Sequence, residues 1–199
     1  MDELIQVVDC LSDAKVDKVL QSIELESHRF QGAPVYNKSS DYFVDKNVRS
    51  NSCFSADNDS YIARAIHMGM QKSLTIYKKN LIEFHTSYNA YPMPNAHGTH
   101  IRRENIQILK YQKQQQYKWH TDQFPQRQHE LHSREFSIVL YLTNDFTGGR
   151  TCLPNGCYKP KPGQALVFPS NWCFPHSAEP VESGTKIVSV AWFHADYHE

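Results

Sequence analysis

The chain has no apolar run long enough to cross a membrane, no Cys-x-x-Cys pair and no excess of charge of either sign. Each absence removes a class of function. A spanning helix needs about 20 consecutive apolar residues. The acidic start MDELIQVVDC shows neither that nor the basic-then-apolar pattern of a leader, so no signal peptide and no membrane span are expected. Lysine plus arginine number 21 and aspartate plus glutamate 21, which gives no general pull toward nucleic acid or an acidic membrane. There is no basic–aromatic track for single strands either. The five cysteines (Cys10, Cys53, Cys152, Cys157 and Cys173) are odd in number and scattered. They argue against a structural zinc knuckle and for reduced, partly buried thiols rather than a disulfide framework. An intracellular, cytoplasmic setting is the expectation.

What the chain does have is apolar material, 40% of its 199 residues, and an unusual supply of histidine, eleven in all. That length suits a single domain spanning 1–199, with helical support and loops over 1–100 and a β core over 101–199. Leu4-Ile5 and Val7-Val8 predict an edge strand within 3–10. Ser12 is a plausible N-cap, and Val16, Val19, Leu20 and Ile23 form one apolar stripe of a helix ending near Glu26. The polar stretch 31–58 reads as loops with one short strand at most. A second helix is predicted from 58–60 to about Phe84, because Ile62, Ile66, Met70, Leu74, Tyr77 and Leu81 keep a three-to-four spacing. Both stripes are packing faces, suited to cover one side of a sheet.

From Asn105 onward the pattern becomes short β runs divided by turns: 106–111, 117–122, 136–142, 165–169 and 186–194. Turn signals such as Gly148-Gly149, Pro154-Asn155-Gly156 and Ser183-Gly184 separate them. Helices first and strands afterwards give an α+β class with an antiparallel sandwich or jelly roll at its centre.

The chemistry concentrates in Tyr111–Asp122, YQKQQQYKWHTD. In an extended strand His120 and Asp122 share a face. One imidazole and one carboxylate are two thirds of the facial triad that holds non-haem Fe(II) and leaves positions open. His176 is the best third ligand, from a strand folding back beside the first. Alone, His-x-Asp fits a surface strand or turn better than a metal site, and only its context selects the metal site. Alternation in the last strand supplies such context. Lys186, Val188, Val190, Trp192 and His194 share one face, an odd set for a plain core and a natural one for a polar cavity. The other histidines have plainer settings. His129 and His132 sit in a charged loop, His97 and His100 flank Gly98, and His85 ends a helix, where positive charge is favoured.

These residues resemble the Fe(II)- and 2-oxoglutarate-dependent oxygenases, in particular the prolyl 4-hydroxylase-like branch. IQILKYQKQQQYKWHTD is similar to that family's strand leading into His-x-Asp. REFSIVLYLTNDFTGGRTCLP is similar to its following hairpin, and ALVFPSNWCFPHSAEPVESGTKIVSVAWFH to its closing strands. Val48-Arg49-Ser50 is similar to a further short family segment. The resemblance implies a double-stranded β-helix (jelly roll) with the N-terminal helices packed on one sheet. It implies His120, Asp122 and His176 as iron ligands. It makes Lys186, with Thr151 and Tyr111, the anchor for the far carboxylate of 2-oxoglutarate, since a buried dicarboxylate needs a fixed cation. It places Glu104, Tyr117, Arg134, Trp192 and His194 against substrate, with Arg134 also open to a strand-end ion pair with Glu135 or Glu130. The implied reaction is hydroxylation of a C–H bond, foremost of a prolyl residue in a peptide or protein, using O2 and releasing succinate and CO2, with ascorbate as reductant. The alternatives are another small molecule or side chain, or a non-catalytic metal-binding jelly roll, and zinc suits the same donors. One departure stands out: the loop Gln112–Gln116 lacks the glycine usual before the ligand strand. The polar segments 31–58 and 123–133 are the natural lids.

Overall fold

A computed structural model describes residues 2–36, 42–90, 100–123 and 134–196. Segments 37–41 and 124–133, parts of the two expected lids, lie outside the described residues, as do His97, His129 and His132.

The two helices fall where the apolar spacing puts them, α1 at Asp13–Leu25 and α2 at Tyr61–Phe84. Ser12 and Ser60 both take extended backbone as N-caps, but only the Ser60 hydroxyl accepts a hydrogen bond, from the Ala63 amide at 3.1 Å. Ile62, Ile66, Met70, Leu74, Tyr77 and Leu81 are buried along one face of α2. The Tyr77 hydroxyl donates to the Leu4 carbonyl at 2.9 Å and ties the helix to the start of the chain.

The early strands are β1 (Gln6–Asp9), β2 (Gln31–Gly32), β3 (Val35–Tyr36), β4 (Tyr42–Phe43) and β5 (Ser52–Ser55). After α2 come β6 (His100–Arg103), β7 (Gln107–Tyr111), β8 (Tyr117–His120), β9 (Arg134–Tyr141) and β10 (Thr147–Gly148). The chain continues through β11 (Thr151–Leu153), β12 (Gly156–Tyr158) and β13 (Gln164–Pro169). It closes with β14 (His176–Ala178), β15 (Val181–Ser183) and β16 (Lys186–Asp196).

Two antiparallel sheets build the jelly roll. The large one runs β1-β13-β9-β16-β7-β5-β2, with β6 added beside β16; the small one runs β12-β11-β14-β8. All five β runs marked by the sequence are strands of these sheets, and β1 is the edge strand it suggested. The 31–58 region holds more order than its polarity implied. Its strand β5 pairs with β7 in the large sheet, and β3 pairs with β4. Such short pieces carry too little apolar periodicity to show in the sequence.

The large sheet divides two cores. On its outer side Ile138, Leu140, Ala191 and Phe193 pack against α1 and α2. On its inner side Val139, Tyr141, Val188, Val190 and Trp192 face the small sheet, with Leu153 and Phe174. Strand pairing keeps this division in step: Val188 lies opposite Tyr141, Val190 opposite Val139 and Trp192 opposite Ser137. On the other flank of β16, Lys186 lies opposite Tyr111 and Val190 opposite Gln107.

One expectation is overturned. Cys152 and Cys157 form a disulfide rather than remaining thiols. The Pro154-Asn155 turn makes them direct cross-strand partners in the β11–β12 hairpin, with Cα atoms 4.0 Å apart. Their spacing fails as a metal knuckle but fits a tight hairpin, and that distinction lies in turn register rather than in cysteine count. Cys10, Cys53 and Cys173 are free. Among the described residues no helix is long and apolar enough to cross a membrane.

The loop that lacks the expected glycine keeps its shape by straining another residue. Gln114 takes φ 65°, in the left-handed region, while its amide donates to the Val181 carbonyl at 2.7 Å. A side chain there costs about 1–2 kcal/mol, largely offset in a glycine by its greater freedom when unfolded. Gln114→Gly should therefore leave stability unchanged or raise it by up to about 1 kcal/mol, whereas the β-branched Gln114→Val should lose about 1–2 kcal/mol. Urea unfolding midpoints check both.

Candidate active site

Between the two sheets lies a cavity of about 440 Å³, a volume suited to a small ligand. Its walls include Leu109, Val139, Val188 and Val190 from the large sheet, and His176 and Ala178 from the small one.

At one end β8 and β14 run antiparallel with His120 directly opposite His176. Their imidazole centroids are 4.3 Å apart. Asp122, just beyond β8, completes the cluster: its carboxylate oxygens lie 3.7 Å from Nε2 of His120 and 3.3 Å from Nε2 of His176. Each imidazole also places Nδ1 against a carbonyl two residues back, Lys118 at 2.8 Å and Phe174 at 3.2 Å. With Nδ1–H donating there, both Nε2 atoms are left to face the carboxylate. The Ser137 hydroxyl donates to Asp122 Oδ2 at 2.7 Å and contacts the Ser170 hydroxyl at 2.8 Å. Both serines are buried. Aromatic rings close the sides: Tyr117 stacks on His120 at 3.6 Å and Phe168 meets His176 edge-on at 4.8 Å.

The electrostatics suit ligation. Burial, aided by His176, pushes the His120 imidazole down to about 3, so it is neutral. Burial alone would raise the Asp122 carboxyl, but His176, His120 and the Ser137 hydroxyl outweigh it and hold the group well below the usual carboxylate range. His176 is the counterpart. Burial disfavours its charge, yet Asp122 beside it raises its pKa above the ordinary value.

At the other end Lys186 is 1% exposed. Its ammonium donates to the Gly149 carbonyl at 2.7 Å and lies between the rings of Tyr111 and Tyr141, 5.1 and 5.2 Å from their centroids. Among the described residues it has no ion pair, and burial lowers its pKa to about 7. Gly149 has φ 59°, and a Cβ there would press on Val181 at 2.9 Å, so glycine is needed where the carbonyl turns toward Lys186. Thr151 lines the cavity nearby, its hydroxyl 2.6 Å from that of Tyr141. Tyr141 had no part in the sequence expectation, which gave Lys186 only Thr151 and Tyr111. Alternation along β9 was the available signal, since Ser137, Val139 and Tyr141 share its inner face.

A family model, the 2OG-Fe(II) oxygenase superfamily, matches residues 106–194, which hold the triad, Thr151 and Lys186. That match is to somewhat under half of the chain. An Acanthamoeba polyphaga mimivirus protein, named provisionally as a prolyl 4-hydroxylase, is 34% identical over 110 residues, covering 45% of this chain and 44% of the relative. A PKHD-type hydroxylase of Crocosphaera subtropica is 30% identical over 105 residues, covering 50% and 46%. The matched stretch thus spans under half the length of either relative. Over the whole fold, the viral collagen prolyl hydroxylase of Paramecium bursaria Chlorella virus-1, solved as its 2OG complex, superposes with a TM-score of 0.65 at 19% identity, covering 97% of both chains.

Along the same cavity the five expected substrate-facing residues also meet. Arg134 grips Glu104 through two hydrogen bonds of 2.5 and 2.6 Å, an acidic partner thirty residues away that the sequence did not pair with it. Its guanidinium lies 3.6 Å over the Trp192 ring and donates to the Asp122 carbonyl at 3.1 Å. His194 Nε2 reaches Glu104 at 3.1 Å. Tyr117 lines the cavity beside them, and the buried indole N–H of Trp192 has no acceptor among the described residues. A buried donor without an acceptor is costly, and a ligand's carbonyl would relieve it.

Two imidazole nitrogens and one carboxylate oxygen, with all ligand atoms within 4.8 Å of one another, fit the non-haem iron donor set. Because Ser137 orients the carboxylate, Ser137→Ala should weaken Mn(II) binding about 10–100-fold, read by calorimetry on the folded protein. Metal binding must also displace the proton that His176 holds above its ordinary pKa. Affinity should therefore fall as pH drops below 7, and a flat profile from pH 8 to 5.5 would contradict that account.

Proposed function

We propose that the chain is an Fe(II)- and 2-oxoglutarate-dependent oxygenase that hydroxylates a prolyl residue of a peptide or protein. One observation carries this: a single cavity has a two-histidine, one-carboxylate cluster at one end and, at the other, a buried ammonium with no ion pair among the described residues. A long dicarboxylate meets both needs at once.

His120, Asp122 and His176 would hold the metal, and Lys186 with the Thr151 hydroxyl would hold the far carboxylate of 2-oxoglutarate. Bound there, iron and 2-oxoglutarate together supply O2 activation and C–H oxidation, with succinate and CO2 as by-products. The protein's own contribution is placement and dryness. Leu109, Val139, Val188 and Val190 keep water from the stretch between the two ends, so each charge contact is stronger than it would be in solvent. Tyr117 and Trp192 offer flat faces for a pyrrolidine ring, while Arg134, Glu104 and the free indole N–H offer partners for peptide groups. The prolyl target draws support from the relatives, two of which are named as prolyl hydroxylases.

The test is release of succinate from 2-oxoglutarate with Fe(II) and a proline peptide. His176→Ala should abolish it while circular dichroism stays native. Lys186→Ala should raise the KM for 2-oxoglutarate about 10–100-fold, the worth of a charge-assisted contact of about 1.5–3 kcal/mol. The pH dependence follows from the Lys186 pKa near 7. Below it the ammonium is present; above it the neutral amine prevails, so KM should climb as pH rises from 6.5 to 8.5. Iron-dependent succinate release that survives His176→Ala would sink the assignment.

A further inference from the structure

We propose that the substrate of this cavity carries a carboxylate beside the residue to be oxidised, and that Arg49 receives it. The proposal rests on the oxygenase function above and adds a substrate class to it.

Arg49 is held at the cavity wall by backbone pairing. The Lys118 amide donates to the Val48 carbonyl at 2.9 Å and the Ser50 amide to the Gln116 carbonyl at 3.0 Å, which sets Arg49 opposite Tyr117. Its side chain is buried, 7% exposed, and lines the cavity with Pro34, Val35 and Val48. The guanidinium donates to Asn51 Oδ1 at 3.1 Å, the Pro34 carbonyl at 3.1 Å and Gln107 Oε1 at 3.5 Å. It sits 4.8 Å over the Tyr117 ring. Every one of these partners is neutral. Among the described residues Arg49 forms no ion pair, and an arginine cannot shed its charge when buried. A desolvated cation lacking an anion is unfavourable unless a ligand supplies one.

The charges around the cavity point the same way. Its described walls carry three cations, Arg49, Arg134 and Lys186, and two anions, Glu104 and Asp122. Arg134 is matched by Glu104. A ferrous ion and 2-oxoglutarate carry equal and opposite charges, the one beside Asp122 and the other beside Lys186, so together they leave the total unchanged. One positive charge remains, and Arg49 is the cation with no counterpart.

Position selects the source of the anion. Tyr117 meets both groups: it stacks on the His120 imidazole at 3.6 Å, and the Arg49 guanidinium lies 4.8 Å from its ring centroid. Arg49 contacts Tyr117 rather than a metal-ligating side chain, which places its anion beside the oxidised residue rather than on the metal. The carboxylate belongs to an acidic side chain adjacent to the target residue or to the chain terminus just beyond it.

Binding and turnover test this separately. Fluorescent proline peptides with a flanking Glu or with Gln in its place, each with a free or an amidated C-terminus, are titrated by anisotropy into the protein loaded with Mn(II) and 2-oxoglutarate under anaerobic conditions. The Glu or free-terminus peptide should bind about 10–100-fold more tightly than its neutral twin, and which of the two does so identifies the source. Arg49→Gln should erase that preference, so that acidic and neutral peptides bind alike, and Arg49→Lys should retain part of it. Equal affinity for all four peptides in the unaltered protein overturns the proposal, as does an Arg49→Gln variant that weakens all of them equally. Succinate release without acid preference refutes this inference and spares the function; acid-selective binding without succinate release does the reverse.

Discussion

Everything in this molecule depends on three neighbouring strands of the large sheet keeping their pleats in phase. Strands β7, β16 and β9 are paired so that Tyr111 meets Lys186, Val190 meets both Gln107 and Val139, and Trp192 meets Ser137. Residues that share a row share a face. A slip of one residue would turn Lys186, Trp192 and Ser137 into the helix-side core and bring Ile187 and Phe193 into the cavity. Apolar packing under α1 and α2 opposes such a slip, because Ile138, Leu140, Ala191 and Phe193 already fill that side. The hydrophobic layer therefore sets the position of the polar one.

The small sheet contributes fewer residues but the sharper geometry. Its β8–β14 pairing places two imidazoles opposite each other, and Asp122 reaches both from the end of β8. Charged groups inside the cavity follow one pattern: each is either paired within the protein or left facing space that a ligand can enter. Arg134 with Glu104 is of the first kind; Lys186 and Arg49 are of the second.

Much of this was legible in the sequence. The two helices and the five long β runs follow from spacing and turn residues, and the meeting of His120, Asp122 and His176 from the family resemblance, whereas the cap that forms its bond, Ser60, was not picked out. Lys186 stood out because a lysine among alternating valines has no ordinary place in a core. Other features were hidden for definite reasons. Strand β5 is four residues in a polar region, too short for its period to show. Tyr141 and Ser137 lie in FSIVLYL, where a run of apolar residues on both faces masks the alternation of the inner one. The Glu104–Arg134 pair spans a segment whose length says nothing of its path. The Cys152–Cys157 bridge was readable from the Pro154-Asn155 turn, but only once the hairpin's register was considered ahead of cysteine number.

The division of the large sheet has a last consequence. Ile138 and Val139 are consecutive residues, yet one belongs to the greasy layer beneath the helices and the other to the wall of the chamber. The partition separating scaffold from chemistry is a single polypeptide thick. Such a membrane-thin bulkhead transmits any swelling on its dry side directly to the reacting side. Enlarging a residue under α2 would narrow the chamber without touching one of its own side chains, and the evolutionary freedom of the pocket is bounded by a core that never meets a ligand.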